Sequence, residues 1–125
     1  MATLKIFVSF EFDKDRDLRG QFYEQAKPHA RRYRISNSSL REAYKTEKWK
    51  DKARAAIREC DAVIVLVGPD THNAPGVRTE VDMARSFGKP TVQVRSHGRP
   101  YKGVPGVKDL IPWKWSRIEQ WLDQV

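Results

Sequence analysis

Ala62-Val63-Ile64-Val65-Leu66-Val67 is an unbroken apolar run, stopped by Gly68 and Pro69. A strand with one face in water alternates apolar and polar residues. A run without alternation, rich in β-branched side chains, needs cover on both faces. These six residues therefore predict a central parallel strand held between helices. The flanking segments supply the cover. Residues 69–76 read as a loop leading to a helix over 77–87, with Val77, Val81 and Ala84 as its inner stripe. Gly88 and Pro90 close that helix, as a C-terminal glycine and a following proline often do. On the other side, Trp49, Ala53, Ala56, Ile57 and Cys60 recur at helical spacing and predict a helix over 47–59, capped by Thr46.

Further out, residues 4–10 (LKIFVSF) read as a first strand. Asp13, Asp15 and Asp17 then open a helix, where acidic side chains suit the positive end of the helix dipole. Leu18, Phe22 and Ala26 give it a buried stripe, and Pro28 ends it. Residues 33–36 suggest a short second strand, and Ser39 with Glu42 fits a capping box. Residues 91–95 alternate Val92 and Val94 as another strand. Residues 96–112 hold Gly98, Gly103, Gly106, Pro100, Pro105 and Pro112 and read as loop or irregular. Ser116 and Glu119 form a second capping box, opening a terminal amphipathic helix with Ile118, Trp121, Leu122 and Val125. Strands alternating with helices in this order predict an α/β fold, an open parallel sheet with helices on both faces, built as one domain over 1–125. In such sheets ligands bind beyond the carboxyl ends of the strands. That selects the loops 9–13, 68–76 and 95–99.

Composition narrows the function classes. The chain has 125 residues, 39% hydrophobic and 32% charged, enough for one core and too few for two. No apolar run approaches the ~20 residues of a membrane span. The first residues read as a strand, with no cleavage pattern of a signal peptide. Cys60 is the single cysteine, so no internal disulfide can form, which points to a reducing, cytoplasmic setting. The net charge of +8 favours anionic ligands. It is spread along the chain, with local density at Arg31, Arg32 and Arg34 and at Lys45, Lys48, Lys50 and Lys52. Solvated faces explain it better than a nucleic-acid footprint.

Several constellations fail on inspection. Asp13, Asp15 and Asp17 with Glu24 imitate a calcium loop, but Leu18 stands where glycine is required. There is no Walker loop and no G-x-G-x-x-G. His72 and His97 follow different strands without metal-ligand spacing, and His29 sits just past a helix end. Cys60 lies on an apolar stripe and reads as a buried, inert thiol. Glu80 is the carboxylate of most interest. It falls in the opening turns of the helix after the central strand, beside the apolar stripe and near the carboxyl edge of the sheet. By position alone a helix-start glutamate favoured by the dipole remains the simpler explanation.

Taken together, Lys5-Ile6-Phe7-Val8-Ser9-Phe10, Asp15-Arg16-Asp17-Leu18, Ser39-Leu40, Trp49, Ile57-x-x-Cys60-Asp61, the stretch 63–72, Val77-Arg78-Thr79-Glu80-Val81 and Gly88-Lys89-Pro90 resemble bacterial TIR-like (Toll/interleukin-1 receptor-like) domains. They look most like the compact TIR-like proteins that include the sensor enzyme of the Thoeris antiphage system. The resemblance covers about the first three-quarters of the chain. It implies a flavodoxin-like (TIR-like) parallel sheet. It implies cleavage of NAD⁺ at the nicotinamide–ribose bond, with NAD⁺ as substrate and no other cofactor, and it places the catalytic glutamate at Glu80. It further implies self-association on activation and a cyclic ADP-ribose-type signal that reaches a separate effector protein; from composition no membrane partner is expected, and a basic nucleic-acid binder ranks third. Candidate substrate contacts are Ser9, Phe10 and Phe12 after the first strand, Ser38, Ser39 and Trp49 on the other side, and Thr71 and His72 after the central strand. Phe10 or Phe12 would stack on a base or nicotinamide ring. Two positions depart from the family pattern: Pro75-Gly76-Val77 replaces a Trp-Cys pair common in catalytic members, and Asn37 stands where close relatives carry an acid. A non-enzymatic adaptor or nucleotide-binding module is the alternative.

Overall fold

The computed structural model describes residues 3–11, 16–29, 31–36, 48–95 and 101–125. Among the described residues five strands form one sheet: β1 (Leu4–Ser9), β2 (Tyr33–Ser36), β3 (Ala62–Val67), β4 (Thr91–Arg95) and β5 (Asp109–Pro112). Their order is β2-β1-β3-β4-β5, and every neighbouring pair is parallel. The helices are α1 (Arg16–Ala26), α2 (Lys48–Glu59), α3 (Pro75–Ser86) and α4 (Trp115–Leu122). This is the flavodoxin-like open sheet.

The strand order explains why helices cover both faces. The chain leaves β1 in one direction to make β2, then returns past it to build β3 and β4 in the other. Right-handed crossovers then force the two directions onto opposite faces. On one face Ile6, Val8, Ile64, Leu66, Val92 and Val94 pack against Phe22 of α1 and against Ile118 and Leu122 of α4. On the other, Phe7 and Val63 meet Ala53 and Ile57 of α2 and Met83 and Ala84 of α3. Val65 and Val67 meet Val77 and Val81 of α3 there as well. Every residue of β3 is buried, as its unbroken apolar run demands.

Four local expectations change. α3 begins at Pro75, two residues before the predicted start, because proline at the first helical position gives up an N–H that has no partner there anyway. It ends at Ser86, and Gly88 then takes a φ of +66°. β5 lies inside the segment expected to be irregular. It is short, sits at the sheet edge and ends in Pro112, so it lacks the apolar alternation that marks inner strands. α4 starts at Trp115, and Lys114 at its N-cap gives no side-chain cap. Ser116 is inside the helix, and the Glu119 carboxylate accepts a bond from Arg32 instead of closing a capping box. Asp123 accepts from the same guanidinium, tying α4 to the entry of β2. The expected caps at Thr46 and Ser39, and the opening of α1 at Asp13, lie outside the described residues.

Candidate functional site

The chain reverses its winding between β1 and β3, and their carboxyl ends form the crevice where open α/β sheets receive ligands. Ser9 is the last residue of β1 and stands in register with Val65 of β3. Residues alternate across a strand. Phe7 faces α2 and α3, and Ser9 shares that face. Glu80 comes from α3, on the stripe of Val77, Val81 and Ala84, and is only 4% exposed. The fully buried Ser9 hydroxyl donates a 2.6 Å hydrogen bond to Glu80 Oε1. A carboxylate withdrawn from water is costly unless polar partners replace its hydration. The Ser9 hydroxyl supplies one and fixes the orientation of the carboxylate at the sheet's edge.

The loop after β3 leads into the helix that carries Glu80. Gly68 N–H donates to Thr71 Oγ1 at 2.7 Å, and Ala74 N–H donates to the Thr71 carbonyl at 3.0 Å. Thr71 is fully buried in a single 3-10 turn, Thr71–Asn73, that leads directly into α3. It therefore helps set where the helix starts. His72 is half-buried. Its Nε2 lies 3.2 Å from Asn73 Nδ2, and its buried Nδ1 has no hydrogen-bond partner among the described residues.

The predicted residues divide accordingly. Ser9 and Glu80 are joined, and Thr71 and His72 sit in the turn that feeds α3. Phe10 faces the opposite way, into the core with Phe22, and Arg19 lies 6.0 Å from its ring centre. Phe12, Ser38, Ser39, Asn37, His97 and the Trp49 side chain lie outside the described residues. Among the described residues no group of three or more His, Cys, Asp or Glu could hold a metal ion. No helix there is long and apolar enough to cross a membrane. Burial pushes the Cys60 thiol up from its ordinary pKa, with the Lys89 charge acting in the opposite sense, and Cys60 Sγ lies 3.1 Å from the Ile57 carbonyl. That is the inert thiol the sequence suggested.

One buried polar residue escaped the sequence analysis. Gln93, in the middle of β4, is 3% exposed and faces α3. Its signal was present: a carboxamide between Val92 and Val94 in an inner strand has no solvent to reach.

Comparison with known proteins follows from this geometry. Among solved structures, the CMP N-glycosidase BcmB of Clostridium botulinum superposes with a TM-score of 0.59 at 18% identity, over 96% of this chain and 98% of that one. A prokaryotic SEFIR domain gives 0.60 at 12% identity, over 98% and 95%. The TIR domains of the activated Roq1 resistosome, which recognises the pathogen effector XopQ, give 0.56 at 14% identity, over 78% of this chain and 60% of that one. At such identities the likeness is one of fold. Among curated proteins, none matches the sequence. The sequence model described as "Thoeris protein ThsB, TIR-like domain" matches residues 7–101, a span that runs from β1 through β4 and includes both Ser9 and Glu80. The chain therefore belongs to the TIR-like domain family of the Thoeris protein ThsB.

Proposed function

We propose that this protein cleaves NAD⁺ at the nicotinamide–ribose bond, with Glu80 as the catalytic carboxylate. The single observation that carries the proposal is the buried Ser9–Glu80 pair at the switch point of the sheet. Family membership supports it, because the same residues lie inside the matched span. Breaking an N-glycosidic bond builds positive charge on the ribose, with oxocarbenium character in the transition state. A fixed carboxylate stabilises that charge and can hold the ribose hydroxyls. Nicotinamide leaves as a neutral ring from a cationic one, so no strong general acid is needed, and one carboxylate serves where most glycosidases use two. Attack by a group of the same molecule gives a cyclic ADP-ribose-type product; attack by water gives ADP-ribose. Under this proposal NAD⁺ is the substrate, no further cofactor takes part, and the product is a diffusible signal to a separate effector in antiphage defence. Self-association on activation and a cytoplasmic setting belong to the same proposal, and nucleic acid does not.

The test follows nicotinamide release from NAD⁺ by purified protein, alone and with lysate of phage-infected cells. The wild type should release nicotinamide in at least one condition, and Glu80→Gln should fall by about a hundredfold or more. Wild type and variant behaving alike in both conditions would overturn the proposal. CMP belongs in the same assay, since BcmB is a CMP N-glycosidase and also breaks an N-glycosidic bond. The second reading is a non-enzymatic adaptor. The first turn of α3 favours it, because Pro75-Gly76-Val77 stands where the resemblance leads one to expect Trp-Cys. A protein partner retained by Glu80→Gln, with no turnover under either condition, is the result it requires.

A further inference from the structure

The buried polar side chains facing α3 form a pattern that the Glu80 chemistry does not use up. Ser9, Val65 and Gln93 lie on one row across the sheet, in direct register. With neighbouring strands ~4.8 Å apart, Ser9 and Gln93 flank Val65 at a separation of about 10 Å. Ser9 spends its hydroxyl on Glu80. Gln93 spends its carboxamide on the segment that returns from β4 to β5. Its Oε1 accepts from Val104 N–H, and its Nε2 donates to the Val104 carbonyl at 3.3 Å and the Val107 carbonyl at 3.1 Å. A Cβ at Gly103 would stand 2.7 Å from both Nε2 and Oε1 of Gln93, so a larger residue there would displace the carboxamide.

Three bonds to one strap are more than a loop needs for closure. What the strap delivers is Val104, 3% exposed, and beside it Val107 and Tyr101, all packed on Val65, Val67, Ala74, Val77 and Val81. Ala74 and Val77 are the entry and first turn of α3, and Glu80 follows one turn later on the same stripe. β4 ends at Arg95, and β5 begins at Asp109, level with Val92 at the other end of β4. Val104 and Val107 are both bonded to Gln93, and Tyr101 packs against the same cluster, which includes Val67 at the carboxyl end of β3 and Ala74 at the entry of α3. Its ring is half-buried against the cluster and half open. Of the two rings expected to stack, Phe10 faces the core on the far side of the sheet and Phe12 lies outside the described residues.

We infer that Gln93 is a positioning residue which pins the strap over residues 101–108, and that the strap presents the Tyr101 ring as the flat wall against which the planar ring of the substrate stacks. The inference rests on the proposal that Glu80 lies at a nucleotide site, and it names the side chain that would recognise the base or nicotinamide. Aromatic rings stack on any flat heterocycle, so the wall suits both NAD⁺ and CMP.

The experiment measures binding, not turnover. NAD⁺ and CMP are titrated calorimetrically into the full chain carrying Glu80→Gln, alone and combined with Tyr101→Phe, Tyr101→Ala or Gln93→Leu, each checked for an unchanged near-UV circular dichroism spectrum. Tyr101→Phe keeps the ring and should bind like its parent. Tyr101→Ala should bind about tenfold more weakly. Gln93→Leu should weaken binding as well, and should also lose the hydrogen-exchange protection of the Val104 amide. Gln93→Glu keeps the acceptor for Val104 N–H, so that protection should return in part. Equal affinity of Tyr101→Ala and its parent overturns the stacking role. A Val104 amide still protected in Gln93→Leu overturns the pinning. Absence of binding by the parent to either nucleotide overturns the inference too, whereas the Glu80 proposal stands or falls separately on nicotinamide release by the wild type.

Discussion

At the scale of single residues, burial decides what each polar group can do. Glu80 was legible because its place on α3 follows from helical spacing and its place at the sheet's edge follows from the strand before it. Ser9 was legible as the end of the first strand, but its bond to Glu80 was not, since the two lie 71 residues apart and no local pattern links them. Cys60 shows burial as the largest influence on an ionisable group. Its thiol sits with Ala53, Ile57 and Phe7, and desolvation raises its pKa, while Lys89 pulls the other way and Asp61 adds to the rise. The folded thiol thus keeps its proton to higher pH than the unfolded one, which ionises near ~8.5. Its contribution to stability is fully present below the unfolded value and is lost as pH climbs from there through the folded value. Thermal melts between neutral and alkaline pH should therefore decline less steeply for Cys60→Ala than for the wild type. Tyr33, whose phenol is also raised by burial, adds a loss of the same sign at higher pH that the variant leaves in place. A thiol reagent at mildly alkaline pH should label the native chain far more slowly than the denatured one.

At the scale of elements, two glycines make opposite demands on the chain. Gly88 ends α3 at φ +66°, and nothing lies within 4 Å of where its Cβ would be. Any cost of Gly88→Ala is then backbone conformation alone, about 1–2 kcal/mol. Gly20 lies within α1, exposed and equally uncrowded, so Gly20→Ala should stabilise by about 0.5–1 kcal/mol through helix propensity. Chemical denaturation of the two variants should move the midpoint in opposite directions with an unchanged slope. Legibility also divides by element. The inner stripes of α1, α2 and α3 announced themselves because burial repeats at a fixed period, and β3 because its apolar run is unbroken. β5 did not, because an edge strand of Asp109, Leu110, Ile111 and Pro112 is exposed or half-exposed throughout. Ser116 misled for a related reason: a capping box is a local match, and Glu119 found a better partner in Arg32, far away in sequence.

At the scale of the whole molecule, the sequence specified layers more clearly than order. An unbroken apolar strand between amphipathic helices requires cover on both faces, and the structure provides it. That β1 lies between β2 and β3 is written in no short stretch, because it emerges from two crossovers of opposite direction. The bond between Ser9 and Glu80 inherits this. It exists only after the first strand has paired with the third and α3 has docked, joining residues 71 apart in sequence, and such distant pairings form late and slowly. The site is thus a clock on its own assembly. On dilution from denaturant, helical circular dichroism should recover first, and nucleotide binding should return only with the slowest refolding phase. Binding that appears as early as the helical signal would show that the two halves of the site meet before the sheet is complete. A chain still emerging from the ribosome, with β1 made and α3 not yet released, would hold half of the pair, so the proposed activity would be withheld until β1 and α3 have met.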